Sequence, residues 1–412
     1  MNYIKKSDSN FLQIFLIIFV IFIADIAVEI YVPALPGIMH FFNADQSTVK
    51  LTVGCNIIGL AFSSLFYGAL SDHYGRKPVM IAGMLIFAVS SALCVFSASI
   101  FFLTLFRLFQ GMGQGVAVVV GFASIRDVYS GDQCAKIISR ISMVAAVSPA
   151  FAPIIGSFIL TYSGWELIFA LLFLFGIFSV FVLLFFFQET LHSKKNKQKF
   201  CIKNLFTSYA NILKNRSYLM YSAVAVLNFV WLWNVIASTP FLLMERMGVS
   251  IAEYGYLIAL NVSGFVLGTI LNQIYVVKLG VRKMIQIGIF MPLATEILVL
   301  FLHYTGVLTA IILQSIWFFS ALGLAFVIGN CTAAALDQVK SDQSSKATAV
   351  LVFVEMTLSA AGIYINDMFY MGNVVSISVF TIVCVVISVI VLYAQLLFVE
   401  GTKSARKTLQ KS

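Results

Sequence analysis

The chain has 412 residues, of which 61% are hydrophobic and only 10% are charged, and its mean hydropathy is +0.99. An ordinary soluble domain carries about 25% charged residues, so this composition argues against a soluble enzyme and excludes a disordered, collagen-like or disulfide-framework protein. The formal net charge of +9 is best interpreted as loop charge that orients membrane spans, not as a nucleic-acid-binding surface. The six cysteines are scattered without a C-x-x-C motif, which predicts neither a disulfide framework nor a metal site.

Twelve apolar runs follow one another along the chain, and a membrane-spanning helix takes about 20 apolar residues. They cover residues 11–35, 47–70, 79–96, 100–124, 135–162, 167–187, 218–243, 254–277, 284–302, 308–335, 347–365 and 374–398. The first run follows Lys5 and Lys6, but it is too long for the apolar region of a signal peptide and is kept as a span. The sequence therefore predicts an all-α membrane protein with twelve transmembrane helices.

The basic residues give these spans an orientation. With the N-terminus in the cytoplasm, 23 of the 26 Lys and Arg residues fall in cytoplasmic segments. Lys50 and Arg246 fall outside, and Arg107 lies within a span. Cytoplasmic loops carry an excess of Lys and Arg, so the pattern predicts a multi-pass protein of the cytoplasmic (inner) membrane with both termini in the cytoplasm.

One connection differs from the others, since residues 188–216 are long, polar and Lys-rich. We expect an N-terminal six-helix bundle over 1–187, a basic cytoplasmic linker over 188–216, a C-terminal six-helix bundle over 217–400, and a basic cytoplasmic tail over 401–412. The linker is predicted to be a solvated segment that enforces orientation, with contact to anionic lipid as the alternative.

Five ionisable residues fall well within apolar runs, away from the charged residues near the ends of the runs: Asp25, Glu29, Arg107, Glu296 and Glu355. Each costs roughly 2.5–3.5 kcal/mol at the centre of a membrane helix, so we expect them to face a protein interior or a wet cavity. The carboxyl groups outnumber the arginine, and burial disfavours their charged form, so some are expected to hold a proton part of the time. Pairing with Arg107 to fix packing is the alternative for the first two acids, and solvation at the outer end of its span is the alternative for Glu296.

Asp25 and Glu29 are four residues apart, which places them on one face of a helix, one turn from each other. Two carboxyl groups that close titrate as a coupled pair. They are the predicted proton-coupling residues, together with Arg107.

Between the second and third runs stands Gly68-Ala-Leu-Ser-Asp72-His-Tyr-Gly75-Arg76-Lys77. It resembles the G-x-L-x-D-x-x-G-R-K/R signature of the major facilitator superfamily. The resemblance implies two six-helix bundles, cargo bound between them at mid-membrane, and alternating access. These residues are the predicted conformational-switch motif, in which Gly75 supplies a tight turn and Asp72 accepts from a helix N-terminus or pairs with a basic residue of a neighbouring span.

Two further runs resemble the drug:proton antiporters of that superfamily. Arg107-Leu-Phe-Gln110-Gly111-Met-Gly113 is similar to the R-x-x-Q-G-x-G run, whose arginine faces the central cavity and communicates with membrane acids. Pro149-Ala-Phe-Ala-Pro153-Ile-Ile-Gly156 is similar to the antiporter motif. An ordinary kinked helix is the alternative for the second run, because Pro and Gly weaken a span and let helices touch closely.

Shorter matches point to the bicyclomycin-resistance and chloramphenicol-efflux branch. They are Glu29-Ile-Tyr31-Val-Pro33-Ala-Leu-Pro36, Arg126-Asp127 with Tyr129, Gly164-Trp165 with Phe169, Glu189-Thr190-Leu191, Ala237-Ser-Thr-Pro240-Phe241, and Gly280-Val-Arg282-Lys283 as a weak second copy of the loop signature. The branch usually has Asp where Glu29 stands. Extra acids such as Glu296 and Glu355 would suit a cationic or polyhydroxylated cargo.

Enzyme motifs are missing from the sequence, which has no phosphate-binding G-x-x-x-x-G-K-[ST], no H-E-x-x-H and no G-x-S-x-G. We therefore expect no catalytic residue, metal or cofactor, and a rocking transporter in preference to a channel. The predicted partners are a small-molecule substrate, protons and the lipid bilayer, without nucleic acid, and the protein is expected to be a monomer.

The predicted function is export of small amphipathic compounds such as drugs by proton antiport. Export of an endogenous secreted metabolite such as a siderophore is the first alternative, and proton-symporting nutrient import is the second. The predicted cavity residues are Tyr31, Trp231, Trp233, Asn234, Phe241 and Glu355, because aromatic rings contact flat or amphipathic molecules broadly.

Overall fold

The computed structural model describes residues 2–191, 202–340, 343–369 and 372–409. The described chain is helical throughout its regular structure. Its helices are α1 (Asn2–Glu29), α2 (Leu35–Phe42), α3 (Gln46–Tyr74), α4 (Arg76–Val95), α5 (Ile100–Val128), α6 (Gly131–Tyr162), α7 (Trp165–Phe186), α8 (Ile202–Ile212), α9 (Arg216–Pro240), α10 (Ile251–Leu279), α11 (Val281–Tyr304), α12 (Ala310–Leu336), α13 (Ser344–Met368) and α14 (Val374–Leu409).

Eleven helices of the described residues are long and apolar enough to cross a membrane. The predicted fifth span, 135–162, lies on α6, where Phe151–Tyr162 forms a shorter apolar stretch and the side chains of 142–150 lie outside the described residues. The all-helical membrane fold is therefore confirmed, whereas the twelfth span and the cytoplasmic termini stay predictions. The segment between α7 and α9, which the sequence predicted as a solvated linker, also contains the short helix α8.

Proline ends the first span before it is complete. α1 stops at Glu29, and a single turn of 3₁₀ helix over Val32–Ala34 leads into α2. Pro33 has no backbone N–H to donate to the carbonyl group of Glu29, four residues before it, and Pro33 and Pro36 each stand in the first turn of the helix that follows. The predicted first span is thus a long helix, a break and a short helix, with Glu29 as the last residue before the break.

Glycine makes the turn at both copies of the loop signature. Gly75 joins α3 to α4 with φ of 106°, and Gly280 joins α10 to α11 with φ of 80°. Side chains other than glycine rarely adopt this region of backbone space. The predicted tight turn at Gly75 is confirmed, and the weak second copy has the same backbone device.

The helices form two compact units. The first unit comprises Met1–Ile202, Ile236–Ala259 and Ile363–Asp367. In its interior α3 and α5 touch backbone to backbone, and a Cβ atom at Gly111 would lie 1.9 Å from the carbonyl oxygen of Asn56. Gly111 thus allows the two helices to pack closely.

The second unit comprises Lys203–Val235, Leu260–Gly362 and Met368–Ser412. Its main core draws buried residues from α9, α11, α12, α13 and α14, including Trp231, Ile285, Val327, Leu351 and Val385. Trp231 donates its indole N–H to Asn228 Oδ1 at 3.0 Å, so the ring is fixed inside this core.

Candidate functional site

The candidate site of the first unit is the break at the end of α1. Asp25 and Glu29 lie one turn apart there, and both are partly exposed. Gly156 of α6 packs directly behind the break, because a Cβ atom at this position would lie 2.0 Å from the carbonyl oxygen of Ile30 and 3.2 Å from Pro33. Pro153 is buried in the same helix, while the side chain of Pro149 lies outside the described residues.

Neither of these two carboxyl groups forms an ion pair with a described residue. A carboxyl group that no cation holds can gain and lose a proton more readily than one fixed in an ion pair. The role of these two acids in proton coupling stays a prediction.

Arg107 of α5 is fully buried beside the same break. Its Nη1 donates to Gln110 Oε1 at 2.6 Å and to the carbonyl oxygen of Ala27 at 3.4 Å. The guanidinium lies 4.3 Å from the centre of the Tyr31 ring and 5.8 Å from that of Phe169. Within the described residues, its Nε and Nη2 have no hydrogen-bond partner and no carboxylate pairs with it.

Arg107 contacts the last turn of α1 through the carbonyl oxygen of Ala27, and it forms no salt bridge with Asp25 or Glu29. The carbonyl groups of the last turn of a helix lack partners within it and carry a partial negative charge. Ala27 belongs to the last turn of α1, whose final residue is Glu29. The arginine is therefore placed to stabilise negative charge at this helix end.

A second buried cation stands at the first turn of α3. Lys50 is 0% exposed, and its Nζ lies 2.6 Å from Asp367 Oδ1 near the end of α13. The same ammonium donates to Ser238 Oγ of α9 at 3.0 Å and lies 5.7 Å from the centre of the Phe241 ring. The sequence assigned Lys50 to the outer side of the membrane, and the structure adds that its side chain is buried within the first unit.

The two acids of later spans are buried in the second unit. Glu296 of α11 is 1% exposed and accepts a hydrogen bond from Ser378 Oγ of α14 at 2.6 Å. The alternative that it is solvated at the outer end of its span is therefore wrong. Glu355 of α13 is 4% exposed, and its Oε1 has no hydrogen-bond partner among the described residues.

The predicted cavity residues are divided between the two units. Tyr31 and Phe241 belong to the first unit, whereas Trp231, Trp233, Asn234 and Glu355 belong to the second, and all six are buried. Their role in cargo binding stays a prediction.

The loop signature forms a compact polar network at the other end of α3. Arg76 pairs with Asp127 Oδ2 at 2.8 Å and with Asp72 Oδ1 at 2.7 Å, and it donates to Ser71 Oγ at 2.6 Å. Of the two expectations for Asp72, pairing with a basic residue is the one observed, and the partner is Arg76 of the same signature. Gly68 lies near Val119 of α5. A Cβ atom at Gly68 would lie 3.8 Å from Val119 Cγ1, which is an ordinary van der Waals distance.

Glu189, which follows the end of α7, also belongs to this network. Its two carboxylate oxygens accept from the backbone N–H groups of Arg76 at 2.9 Å and Lys77 at 3.1 Å. These are among the first N–H groups of α4, which lack partners within the helix and favour a negative charge. Lys77 Nζ in turn donates to the carbonyl oxygen of Leu184 at 2.8 Å.

The sequence alone did not relate these features to one another, and several residues that contact the predicted site residues were not identified. It did not assign a role to Lys50, Asp367, Gln110 or Ser378. Lys50 carried a usable signal, because it lies inside the second apolar run. Asp367 follows the eleventh run by two positions, and no spacing along the chain relates it to Lys50.

Buried charges in a bundle of apolar helices define a polytopic membrane protein that moves ions or solutes, since intramembrane charges are costly and are associated with transport pathways. Residues 17–363 match the profile of the Major Facilitator Superfamily. The chain belongs to this family and is a multi-pass transporter of the inner membrane. The resemblance that the loop signature suggested is confirmed.

Relatives within the family point to the same branch as the shorter motifs. The chain is 26% identical over 341 residues to the bicyclomycin resistance protein homolog of Haemophilus influenzae, which covers 81% of this chain and 83% of that relative. It is 30% identical over 234 residues to the multidrug resistance protein MdtL of Citrobacter koseri, which covers 57% of this chain and 59% of that relative.

A solved structure supports the fold. The xylose transporter XylE from E. coli, in a partially occluded inward-open conformation, matches with a TM-score of 0.74 over 93% of this chain and 97% of that chain. The sequence identity is 14%, so this likeness concerns the fold alone.

Proposed function

We propose that this transporter exports small amphipathic compounds, drugs among them, in exchange for protons. The observation that carries the proposal is the end of α1, where Asp25 and Glu29 are partly exposed and without an ion-pair partner among the described residues. The names of the relatives from Haemophilus influenzae and Citrobacter koseri support drug export as the direction and the cargo class.

In this mechanism Glu29 carries the transported proton. Its position at a helix break, with Gly156 of α6 behind it, lets a small change in the break alter the surroundings of the carboxyl group. Arg107 stabilises the deprotonated form through the end of α1. Asp25, one turn away, disfavours simultaneous ionisation of both acids, so that release of cargo and uptake of a proton are linked.

The driving force is sufficient for efflux. One proton that crosses 100 mV supplies about 2.3 kcal/mol, which corresponds to a concentration ratio of nearly 50-fold. Any pH difference across the membrane adds to this figure. No bound cofactor is needed in this scheme, since the proton itself supplies the energy.

The test is transport by purified protein in proteoliposomes with an imposed pH step. Glu29→Gln keeps the size of the side chain and removes its ability to ionise, so we expect proton-driven export to fall at least tenfold while cargo binding survives. Glu166→Gln is the matched control, because Glu166 lies in the same unit at the start of α7, and it should transport like the original protein.

Two outcomes would overturn the proposal: cargo movement that ignores the pH step in the original protein, or export by Glu29→Gln at the original rate. Uptake of cargo together with protons would identify an importer. A cargo panel that includes dyes, drugs and a secreted chelator separates drug efflux from export of an endogenous metabolite.

A further inference from the structure

The second unit contains an apolar groove that the transport mechanism does not use. It has a volume of about 320 Å³ and lies between α9, α13 and α14. Its walls include Ala223, Val226, Val354 and Val391, and Leu358 at its edge is 47% exposed. The groove is therefore open toward the surface that the lipid chains cover.

The lining argues against a drug as the occupant. Pockets for small molecules usually hold a few precisely placed polar groups in an apolar wall. Here the wall is aliphatic apart from Tyr218 and Ser222, and the hydroxyl of Tyr218 already donates to the carbonyl oxygen of Ala347 at 2.8 Å. The shape and chemistry suit a hydrocarbon chain, which gains contacts on several sides when it enters a groove.

Cations gather at one end of the groove. Lys214 and Arg216 are exposed, and they stand between Leu213 and Tyr218, both of which line the groove. Lys346 is exposed one turn before Val350 of α13 and donates to Ser208 Oγ of α8 at 3.3 Å. Three cations from two separate segments of the chain thus border the same end of an apolar groove.

The end of α12 joins this rim and leaves it positive. Asn215 Nδ2 donates to the carbonyl oxygen of Gln338 at 2.7 Å, which brings the exposed Asp337 and Lys340 to the same neighbourhood. Among the described residues of this rim, Asp337 is the acidic one, beside the basic Lys214, Arg216, Lys340 and Lys346. The sequence predicts that this rim lies at the cytoplasmic face, where the leaflet carries anionic headgroups.

We propose that the groove binds an anionic phospholipid of the inner leaflet, with an acyl chain between α9, α13 and α14 and the phosphate at Lys214, Arg216 and Lys346. The apolar wall and the cationic rim match the two parts of this ligand in the order in which a lipid presents them. The site lies wholly in the second unit, and it does not depend on proton antiport.

Native mass spectrometry of the purified protein tests this site, with phosphatidylglycerol and phosphatidylcholine supplied in equal amounts. Each surface cation adds attraction for an anionic lipid, so we expect the original protein to retain phosphatidylglycerol at least tenfold better. The variant Lys214→Gln/Arg216→Gln/Lys346→Gln should bind the two lipids almost equally. The control Lys278→Gln/Arg282→Gln/Lys283→Gln removes the same charge from the turn between α10 and α11 and should keep the preference.

Filling the groove tests the other half of the ligand. Ala223→Phe places a ring among the lining residues and should reduce retention of both lipids, while the surface charge stays unchanged. The proposal fails if the preference survives in the Lys214/Arg216/Lys346 variant or disappears equally in the control. It also fails if Ala223→Phe retains lipid fully, or if that variant changes cargo affinity and not lipid retention, which would make the groove a cargo path.

Discussion

Lys50 and Arg107 are both fully buried cations of the first unit, but their surroundings differ. Lys50 is paired with Asp367 at 2.6 Å, whereas Arg107 has aromatic rings, an amide and a helix-end carbonyl around it. A buried pair is stable only as a pair, because removal of one partner leaves the other charge uncompensated. A buried cation without a carboxylate partner can instead stabilise the negative charge that forms when a nearby acid loses its proton.

The two buried cations are therefore expected to have different roles. The Lys50–Asp367 pair ties the beginning of α3 to the end of α13, and Ser238 adds the end of α9. Arg107 contacts the last turn of α1, the helix that ends at Glu29, the residue proposed to carry the proton. The first cation is expected to govern stability, and the second to govern coupling.

The largest effect should come from breaking the buried pair. Lys50→Met leaves Asp367 buried without its cation, and the expected loss in free energy of unfolding is about 3–5 kcal/mol. Chemical unfolding of the purified protein in detergent measures it. Lys50→Met/Asp367→Leu removes both charges and should recover most of the loss. A double variant as unstable as Lys50→Met would show that the pair itself is not the cause.

The next effect concerns the rings around Arg107. Tyr31→Leu removes the aromatic face that lies 4.3 Å from the guanidinium, and a desolvated cation–π contact contributes about 2 kcal/mol. Tyr31→Phe is the matched control, since it keeps the ring and loses only the hydroxyl that is hydrogen-bonded to Thr52.

Arg107→Met tests whether the loss of stability in Tyr31→Leu comes from the cation–π contact. It removes the buried charge altogether, so the difference in stability between Tyr31→Leu and Tyr31→Phe should fall by about 2 kcal/mol in the Arg107→Met background, because the cation–π contact is no longer there to lose. By itself, Arg107→Met should change the free energy of unfolding by less than about 1 kcal/mol but abolish the response of transport to a pH step. Equal losses in free energy of unfolding for Lys50→Met and Arg107→Met would contradict the different roles assigned to the two cations.

The smallest effect lies at the cap of α3, five residues before Lys50. Asp45 accepts from the backbone N–H and the hydroxyl of Thr48 at 3.0 and 2.6 Å, and these bonds hold the pKa of Asp45 below its usual value. Asp45→Ala should cost about 1 kcal/mol at neutral pH, whereas Asp45→Asn should cost less.

The pH dependence of this effect has a definite sign. A lowered pKa in the folded state contributes stability above the ordinary pKa of Asp, about 3.9, and loses it as the pH falls through the lowered value. The difference between the original protein and Asp45→Ala should therefore shrink below about pH 4. A constant difference from pH 7 to pH 3 would assign the cap to geometry alone.

Much of the architecture was readable from the chain. Apolar length predicted the spans, and Gly75 and Gly280 marked two tight turns that the structure confirms. The spacing of Asp25 and Glu29 placed both acids on one face. These features are local, so the residues that cause them are neighbours in sequence.

The partners of the charged residues were not readable in the same way. Glu189 lies more than a hundred positions from the N–H groups of Arg76 and Lys77 that it binds, and Asp367 lies still farther from Lys50. For Glu296 the expectation of a buried environment was met and the alternative of solvation was wrong, but the sequence could not name Ser378 as its partner, because hydropathy does not tell which helix a residue faces.

The sequence by itself determined that this chain crosses a membrane many times and belongs to a transporter family, because hydropathy, basic loops and short motifs act along the chain. Tertiary packing alone decided which buried charge is paired. A charge in an apolar bundle takes the partner that folding brings within about 3 Å, and that distance depends on how separate helices pack.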